Sequence, residues 1–309
     1  MRVLVYAPSG VDEWARAVRA PRGVTVVAAG SPEDAVRLAP DVEVIYGWKV
    51  PPEILARARQ LRWVQVMGAG VERFLVPELP AHVVVTRAPV FGHWMAEYVL
   101  GWCLWLSQKM ETYRAAQRER RWIQEIEPEP LGGRTMTIVG LGDIGRALAR
   151  PAAALGLRVL GVSRRARRVP HVDRVYARAA LARALGAADI VVLAVPLTSR
   201  TRGMIGPDEL AALKPSAWLV NVARGPVIDE TALVAALSER RIAAALLDVF
   251  DEEPLPPDHP LWTLPDVVVT PHISGPSKAE EITQVFNENL RRYRRGERLK
   301  HVVDKKRGY

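Results

Sequence analysis

The sequence predicts an α/β protein made of two doubly wound, parallel-sheet domains with a cleft between them. Short apolar runs alternate with helix-like segments along nearly the whole chain, which is the pattern of parallel βα units. The spacing Gly140-x-Gly142-x-x-Gly145 falls between a strand-like run and a helix-like one. At 309 residues, 49% hydrophobic and 25% charged, the chain is long enough for two cores of ordinary globular composition.

The first hundred residues read as RVLVYA (strand), VDEWARAVRA (helix), VTVVAA (strand), PEDAVRLA (helix) and VEVIYG (strand). PPEILARARQ then reads as a helix opened by proline, and LRWVQVMGAG as a strand running into a glycine-rich turn. One long helix is expected from about Trp94 to Arg121, followed by a boundary at the proline-containing EPEPLGG. A second series begins with TMTIVG (strand), GDIGRALARPAAAL (helix) and LRVLGVS (strand). It continues with the strands DIVVLAVP, AWLVNVA, AAALLDVF and DVVVTP, and ends in the amphipathic helix KAEEITQVFNENLRRYRRGE.

Bulk properties narrow the classes. The formal charge is +9, yet the basic residues are scattered and form no phosphate-tracking stripe, so no nucleic-acid partner is expected. A positive field instead favours small anionic substrates and cofactors. The single Cys103 lies in an apolar helical stretch, which suits packing rather than catalysis. The N-terminus reads as a first strand, not a signal peptide, and no apolar run is long enough to span a bilayer. A cytoplasmic enzyme without a membrane partner or a metal site is expected.

The loop Gly140-Leu141-Gly142-Asp143-Ile144-Gly145 sits in a βαβ context and predicts dinucleotide binding. The first glycine permits the turn, the second lets the backbone approach a pyrophosphate, and the third lets helix pack on strand. NAD-type sites place an acid about 20 residues on. Here that strand ends in Ser163, Arg164 and Arg165, and no acid follows until Asp173. A hydroxyl and guanidinium groups suit a 2′-phosphate, so NADP(H) is expected in preference to NAD(H).

Three later apolar runs, AWLVNVARG, AAALLDVFDEEP and VVVTPHISG, place Arg224, Glu253 and His272 at or just past their ends. Open α/β sheets bind ligands beyond the carboxyl ends of their strands. A cation, a carboxylate and an imidazole collected there are parts for acid/base chemistry on an anionic substrate.

These segments also resemble the signatures of the D-isomer-specific 2-hydroxyacid dehydrogenase family: NVARG, LDVF followed by EP, and TPHI. The turn Met67-Gly68-Ala69-Gly70-Val71-Glu72 resembles the family's GAGVD turn, with Glu72 in place of Asp. The resemblance covers nearly the whole chain. It implies a flavodoxin-like substrate domain of residues 1–100 plus 275–309, with a Rossmann domain of residues 101–274 inserted in it. It further implies that Arg224 pairs with the carboxylate and carbonyl oxygen of a 2-oxoacid, that His272 is the proton donor, and that Glu253 hydrogen-bonds the other ring nitrogen. Backbone N–H groups of Gly68, Ala69 and Gly70 are implied to bind the substrate carboxylate. Asp248 is implied to face the nicotinamide amide, and Val195, Pro196, Thr201, Val222, Ala223, Ser274 and Gly275 to line the cofactor.

Trp48 in YGWKVPP, Trp262 in HPLW and the Ser163-Arg164-Arg165 segment resemble the glyoxylate/hydroxypyruvate reductase branch, with Trp48 implied at the substrate. Glu253 disfavours a formate dehydrogenase, which carries Gln there. His93 and Trp94 depart from the commoner family residues. NADPH-dependent reduction of glyoxylate or hydroxypyruvate to the 2-hydroxyacid is the leading expectation. Alternatives are a phosphoglycerate or D-lactate specificity, or a dinucleotide-sensing binding protein like the related corepressors. The tryptophan-bearing helix resembles the family's dimer region, which implies a homodimer.

Overall fold

The computed structural model describes residues 1–309, which divide into two compact units, Met1–Phe91 with Ser277–Tyr309, and Gly92–Pro276. No helix is long and apolar enough to cross a membrane.

The first unit runs β1 (Arg2–Tyr6), α1 (Val11–Ala17), β2 (Thr25–Ala29), α2 (Pro32–Leu38), β3 (Val44–Gly47), α3 (Pro52–Arg57), β4 (Trp63–Val66) and β5 (Val84–Thr86). Its five strands are parallel in the order β2-β1-β3-β4-β5. Ser31 caps α2 by accepting the Asp34 N–H at 3.2 Å, and Pro32 begins that helix. β1, β3 and β4 are buried almost throughout, which is why they read as continuous apolar runs rather than alternating ones.

The second unit contains α4 (Gly92–Ser107), α5 (Met110–Arg118), β6 (Thr135–Val139), α6 (Asp143–Ala154), β7 (Arg158–Ser163), β8 (Arg174–Ala177), α7 (Leu181–Gly186) and β9 (Ile190–Leu193). It continues through α8 (Pro207–Ala211), β10 (Trp218–Asn221), α9 (Glu230–Ser238), β11 (Ala244–Leu247) and β12 (Val267–Val269). The seven strands are all parallel, in the order β12-β11-β10-β9-β6-β7-β8. The strand order reverses between β6 and β9, the point at which doubly wound sheets open a crevice.

The chain closes with α10 (Ala279–Arg294), part of the first unit. Ile282, Phe286 and Leu290 repeat every four residues and form its buried face. Phe286 stacks on Tyr46 with ring centroids 4.4 Å apart, and on Trp63 at 5.2 Å. Asn289 donates to the buried Gln65 Oε1 at 3.1 Å, and Thr86 donates to the same oxygen at 2.8 Å. Aromatic packing and a satisfied buried polar cluster thus fix this tail on β3, β4 and β5.

Four sequence expectations need correction. The single helix from Trp94 to Arg121 is two helices: Lys109 adopts a left-handed φ of 53° between α4 and α5. Ser107 turns its hydroxyl back to the Leu104 carbonyl at 3.1 Å just before the break. The unit boundary falls at Phe91/Gly92 rather than at 100/101, because α4 is continuous across that position. The return falls at Pro276/Ser277 rather than at 274/275. Finally, the edge strands β5 and β8 are present where the sequence reading placed no strand, although Val83, Val84 and Val85 form a short apolar run at β5.

Candidate active site

In the second unit, strand register gathers the candidate residues. Val139, Leu193, Asn221, Leu247 and Val269 form one row across β6, β9, β10, β11 and β12, and Val162 of β7 continues it beside Val139. The residues one step beyond are Gly140, Ala194, Val222, Asp248, Thr270 and Ser163. The glycine loop, the Arg224 turn, Asp248 and the His272 turn therefore leave the same edge of one sheet.

The three loop glycines have three different reasons to lack a side chain. Gly140 has φ 106°, and a Cβ there would collide with the Ala194 carbonyl and Val195. A Cβ on Gly145 would strike the Gly140 carbonyl oxygen, so α6 packs close to the strand end only without one. Gly142 has a negative φ of −80° and nothing within 4 Å of its missing Cβ. No intrachain contact explains that glycine, whereas close approach of a diphosphate to the backbone at the start of α6 does. The residues present thus fit a dinucleotide.

The end of β7 carries a hydroxyl and two guanidinium groups. Ser163 donates its hydroxyl to the Arg165 carbonyl at 2.6 Å, which shapes the turn, and Arg164 and Arg165 are exposed. Asp173, the first acid after them, accepts the Val159 N–H at 2.8 Å and serves the sheet. Beyond β9, Thr201 folds its loop inward, donating to the Pro196 carbonyl at 2.6 Å and accepting the Thr198 N–H at 2.8 Å.

Asn221 shapes the turn that carries Arg224. Its side-chain oxygen accepts the Ala223 N–H and its amide donates to the Arg224 carbonyl, both at 3.1 Å. The Arg224 guanidinium donates to the Ala223 carbonyl at 2.7 Å. Val222 and Ala223 are buried, and a Cβ on Gly225 would overlap the Phe250 backbone. That glycine allows the Arg224 turn and the Glu253 segment to pass closely.

His272 and Glu253 meet directly. His272 Nδ1 lies 2.9 Å from Glu253 Oε2, and the other carboxylate oxygen accepts the Phe250 N–H at 3.2 Å. The His272 side chain is 46% exposed and that of Glu253 34%. His272 has a left-handed φ of 54°. Asp248, fully buried, accepts Thr270 Oγ1 at 2.6 Å and the Ile273 N–H at 2.9 Å on one oxygen, and the Ser274 N–H at 2.9 Å on the other. Thr270 also pairs with the Tyr98 hydroxyl. Burial, with the nearby Asp248 charge adding, pushes that phenol up to about 12. Ser274 is buried and Gly275 half-buried.

In the first unit, Gly47 of β3 pairs with Val66 of β4, so Trp48 and the Gly68–Gly70 turn leave adjacent strand ends. A Cβ on Gly68 would lie 3.3 Å from the Trp48 ring. Trp262, in the second unit, is half exposed and donates its indole N–H to the Pro256 carbonyl at 2.8 Å. Sequence reasoning missed Tyr98, Thr270 and Asn221. Thr270 and Asn221 are the first residues of TPHI and NVARG, but Tyr98 stands alone on α4 and carries no local signal.

Residues 100–274 match the family described as D-isomer specific 2-hydroxyacid dehydrogenase, NAD binding domain. Among curated relatives, glyoxylate/hydroxypyruvate reductase A of Photorhabdus laumondii is 34% identical over 270 residues, covering 85% of this chain and 86% of the relative. A D-isomer specific 2-hydroxyacid dehydrogenase of Xanthobacter autotrophicus, solved with NADPH and MES, superposes with a TM-score of 0.88 at 36% identity, covering 99% of each chain. An NADPH-dependent glyoxylate/hydroxypyruvate reductase of Sinorhizobium meliloti, solved with NADP and sulfate, has a TM-score of 0.90 at 31% identity, covering 100% of this chain and 99% of its own. With the glycine loop and the Arg, Glu and His segments in their strand-end places, this chain belongs to the D-isomer specific 2-hydroxyacid dehydrogenase family and is an NAD(P)-dependent oxidoreductase.

Proposed function

We propose that this protein reduces small 2-oxoacids, glyoxylate and hydroxypyruvate first, to 2-hydroxyacids with NADPH. The observation that carries the reading is the Glu253–His272 pair, 2.9 Å apart, at the same sheet edge as the glycine loop. The names of the relatives, reductases of glyoxylate and hydroxypyruvate, support the substrate class.

Arg224 holds the substrate carboxylate and carbonyl oxygen; a guanidinium fork matches two oxygens at once. In the first unit, the backbone N–H groups of Gly68, Ala69 and Gly70 form a turn suited to a carboxylate, and Trp48 stands beside them. Glu253 engages Nδ1 of His272 and leaves Nε2 to deliver its proton to the carbonyl oxygen. When bound, the reduced nicotinamide supplies hydride to the carbonyl carbon. Gly140 to Gly145 hold the diphosphate, Asp248 the nicotinamide amide, and Ser163, Arg164 and Arg165 the 2′-phosphate. Val195, Pro196, Thr201, Val222, Ala223, Ser274 and Gly275 line the cofactor. The first acid after Ser163 in the chain, Asp173, is engaged by the Val159 N–H, which supports NADPH over NADH.

A homodimer accompanies this reading. Leu104 and Met110 are exposed around the α4–α5 break, and Trp122, 88% exposed, follows it. Light scattering after gel filtration reads the assembly.

The deciding experiment follows oxidation of NADPH and NADH at 340 nm on adding glyoxylate, hydroxypyruvate, pyruvate or 3-phosphohydroxypyruvate. Turnover of the two smallest acids with NADPH, lost in Arg224→Ala and His272→Ala, is expected. Near wild-type turnover in both variants would refute the assignment.

A further inference from the structure

We propose that Tyr98 and Thr270 are positioning residues for His272, acting through the buried Asp248 carboxylate. The inference rests on the functional reading of His272 above, and its network shares Asp248 and Ser274 with the coenzyme site of that reading.

Donor and acceptor capacity fixes the direction of the chain. A carboxylate only accepts, so the single O–H of Thr270 donates to Asp248 Oδ1, at 2.6 Å. Thr270 Oγ1 then has only lone pairs left, so the Tyr98 O–H donates to it. The result is a directed relay, Tyr98 to Thr270 to Asp248, running from α4 into the turn after β12. The same carboxylate accepts the Ile273 and Ser274 N–H groups, each at 2.9 Å. These are the two residues that follow His272.

The turn needs such a clamp. His272 sits at φ 54°, a region that residues with a Cβ rarely adopt. Its own N–H donates to the Thr270 carbonyl at 3.0 Å, which bends the chain tightly and turns the next two amides onto one anion, as in a backbone nest. Asp248 therefore holds the backbone on one side of the imidazole while Glu253 holds the ring itself. Thr270 and Tyr98 stiffen that anchor, since a carboxylate oxygen fixed by a hydroxyl has less freedom to follow a shifting turn. α4 is itself seated at Gly92, where a Cβ would strike Ala147 of α6. The proton donor's turn is thereby tied to the helix that opens at the glycine loop.

The test compares Tyr98→Phe, Thr270→Val and Thr270→Ser with wild type. Readouts are kcat and KM for glyoxylate with NADPH, the primary deuterium isotope effect on kcat, and amide exchange of Ile273 and Ser274 in coenzyme-free protein. Tyr98→Phe is expected to lower kcat roughly 3–10-fold, and Thr270→Val by about 10-fold or more. KM should change less than about 2-fold, while the isotope effect and the exchange of both amides rise. Thr270→Ser keeps the hydroxyl and should restore all of these. Wild-type kcat and isotope effect in Tyr98→Phe and Thr270→Val overturn the proposal. So does a serine variant as impaired as the valine one, since the methyl group would then be what matters. If wild type reduces no 2-oxoacid, the functional reading fails instead, and amide exchange alone decides whether the relay holds the turn. Tyr98→Phe removes one oxygen and no packing, so it remains decisive even if Thr270→Val fails to fold.

Discussion

Glu253 holds His272 with one carboxylate oxygen and its own turn with the other: Oε2 lies 2.9 Å from His272 Nδ1, and Oε1 accepts the Phe250 N–H at 3.2 Å. The carboxylate is thus oriented before it meets the ring. Its contact with Nδ1 directs Nε2 away from it. Glu253→Gln keeps an acceptor oxygen but loses the charge. A charge-assisted hydrogen bond exceeds a neutral one by about 1 kcal/mol or more, so kcat for 2-oxoacid reduction should fall roughly 10-fold. Glu253→Ala, which loses the orientation as well, should fall further. Steady-state kinetics of both variants check the order, and equal activity in glutamine and wild type would remove Glu253 from the mechanism.

Two glycines three residues apart are expected to fail in opposite ways. Alanine at 145 would collide with the Gly140 carbonyl, so Gly145→Ala should destabilise the fold by about 1–3 kcal/mol, as overpacking does. Alanine at 142 meets nothing within 4 Å. Gly142→Ala should therefore melt like wild type yet bind NADPH at least roughly 10-fold more weakly, about 1.4 kcal/mol. Thermal melts with and without coenzyme separate the two effects. Unchanged coenzyme affinity in Gly142→Ala would leave that glycine unexplained.

Coenzyme choice is expected to rest on the end of β7. Arg164 is exposed there, and Asp173 is already committed to the Val159 N–H at 2.8 Å. Arg164→Asp adds a carboxylate that repels a 2′-phosphate and removes a guanidinium that binds one. Hydrogen bonds to charged groups contribute about 1.5–3 kcal/mol, so the ratio of kcat/KM for NADPH over NADH should drop roughly 10–100-fold. A wild-type preference for NADH would end this reading of Ser163, Arg164 and Arg165.

Much of this site was legible because parallel strands buried on both faces read as unbroken apolar runs, so their ends can be located. The candidates Arg224, Glu253 and His272 are read from those ends, and the glycine loop from its spacing. Other features depend on contacts far apart in the chain. Tyr98 reaches Thr270 across 172 positions, and no local pattern marks a tyrosine for that task. The same holds for the α10 tail, whose Phe286 becomes a core residue only by stacking on Tyr46 and Trp63. The break at Lys109 was hidden because it lies in a sequence with good helix formers on both sides. β5 and β8 are edge strands of three and four residues, too short to show a period.

Alkaline pH is expected to weaken the fold. Burial pushes the Cys103 thiol up to about 12, and burial and the Asp248 charge push the Tyr98 phenol up to about 12. In the unfolded chain these groups ionise near their ordinary values of about 8.5 and 10. Their contribution is fully present below those values. As pH rises through them the unfolded state loses protons that the native state keeps, so stability falls. Melting temperature should decline progressively from about pH 9 toward 12. The buried thiol should also resist a thiol reagent at pH 8 and react only after denaturation. Prompt labelling of the native protein would contradict that burial.

Arg224 is expected to tolerate no other cation. Its backbone is fixed by Asn221, which donates to the Arg224 carbonyl and accepts the Ala223 N–H, both at 3.1 Å. Its guanidinium already uses one N–H on the Ala223 carbonyl at 2.7 Å. A planar fork with five donors can hold that contact and still present two parallel N–H groups to a carboxylate or carbonyl oxygen. Lysine offers a point charge on a flexible stem and cannot do both in one geometry. Arg224→Lys should therefore lose roughly 10²–10³-fold in kcat/KM, the loss typical of removing a donor aimed at a developing negative charge. Because the lost interaction strengthens as charge grows on the carbonyl oxygen, kcat should fall along with the rise in KM. Loss confined to KM would mean that Arg224 only gathers the substrate and takes no part in stabilising the transition state.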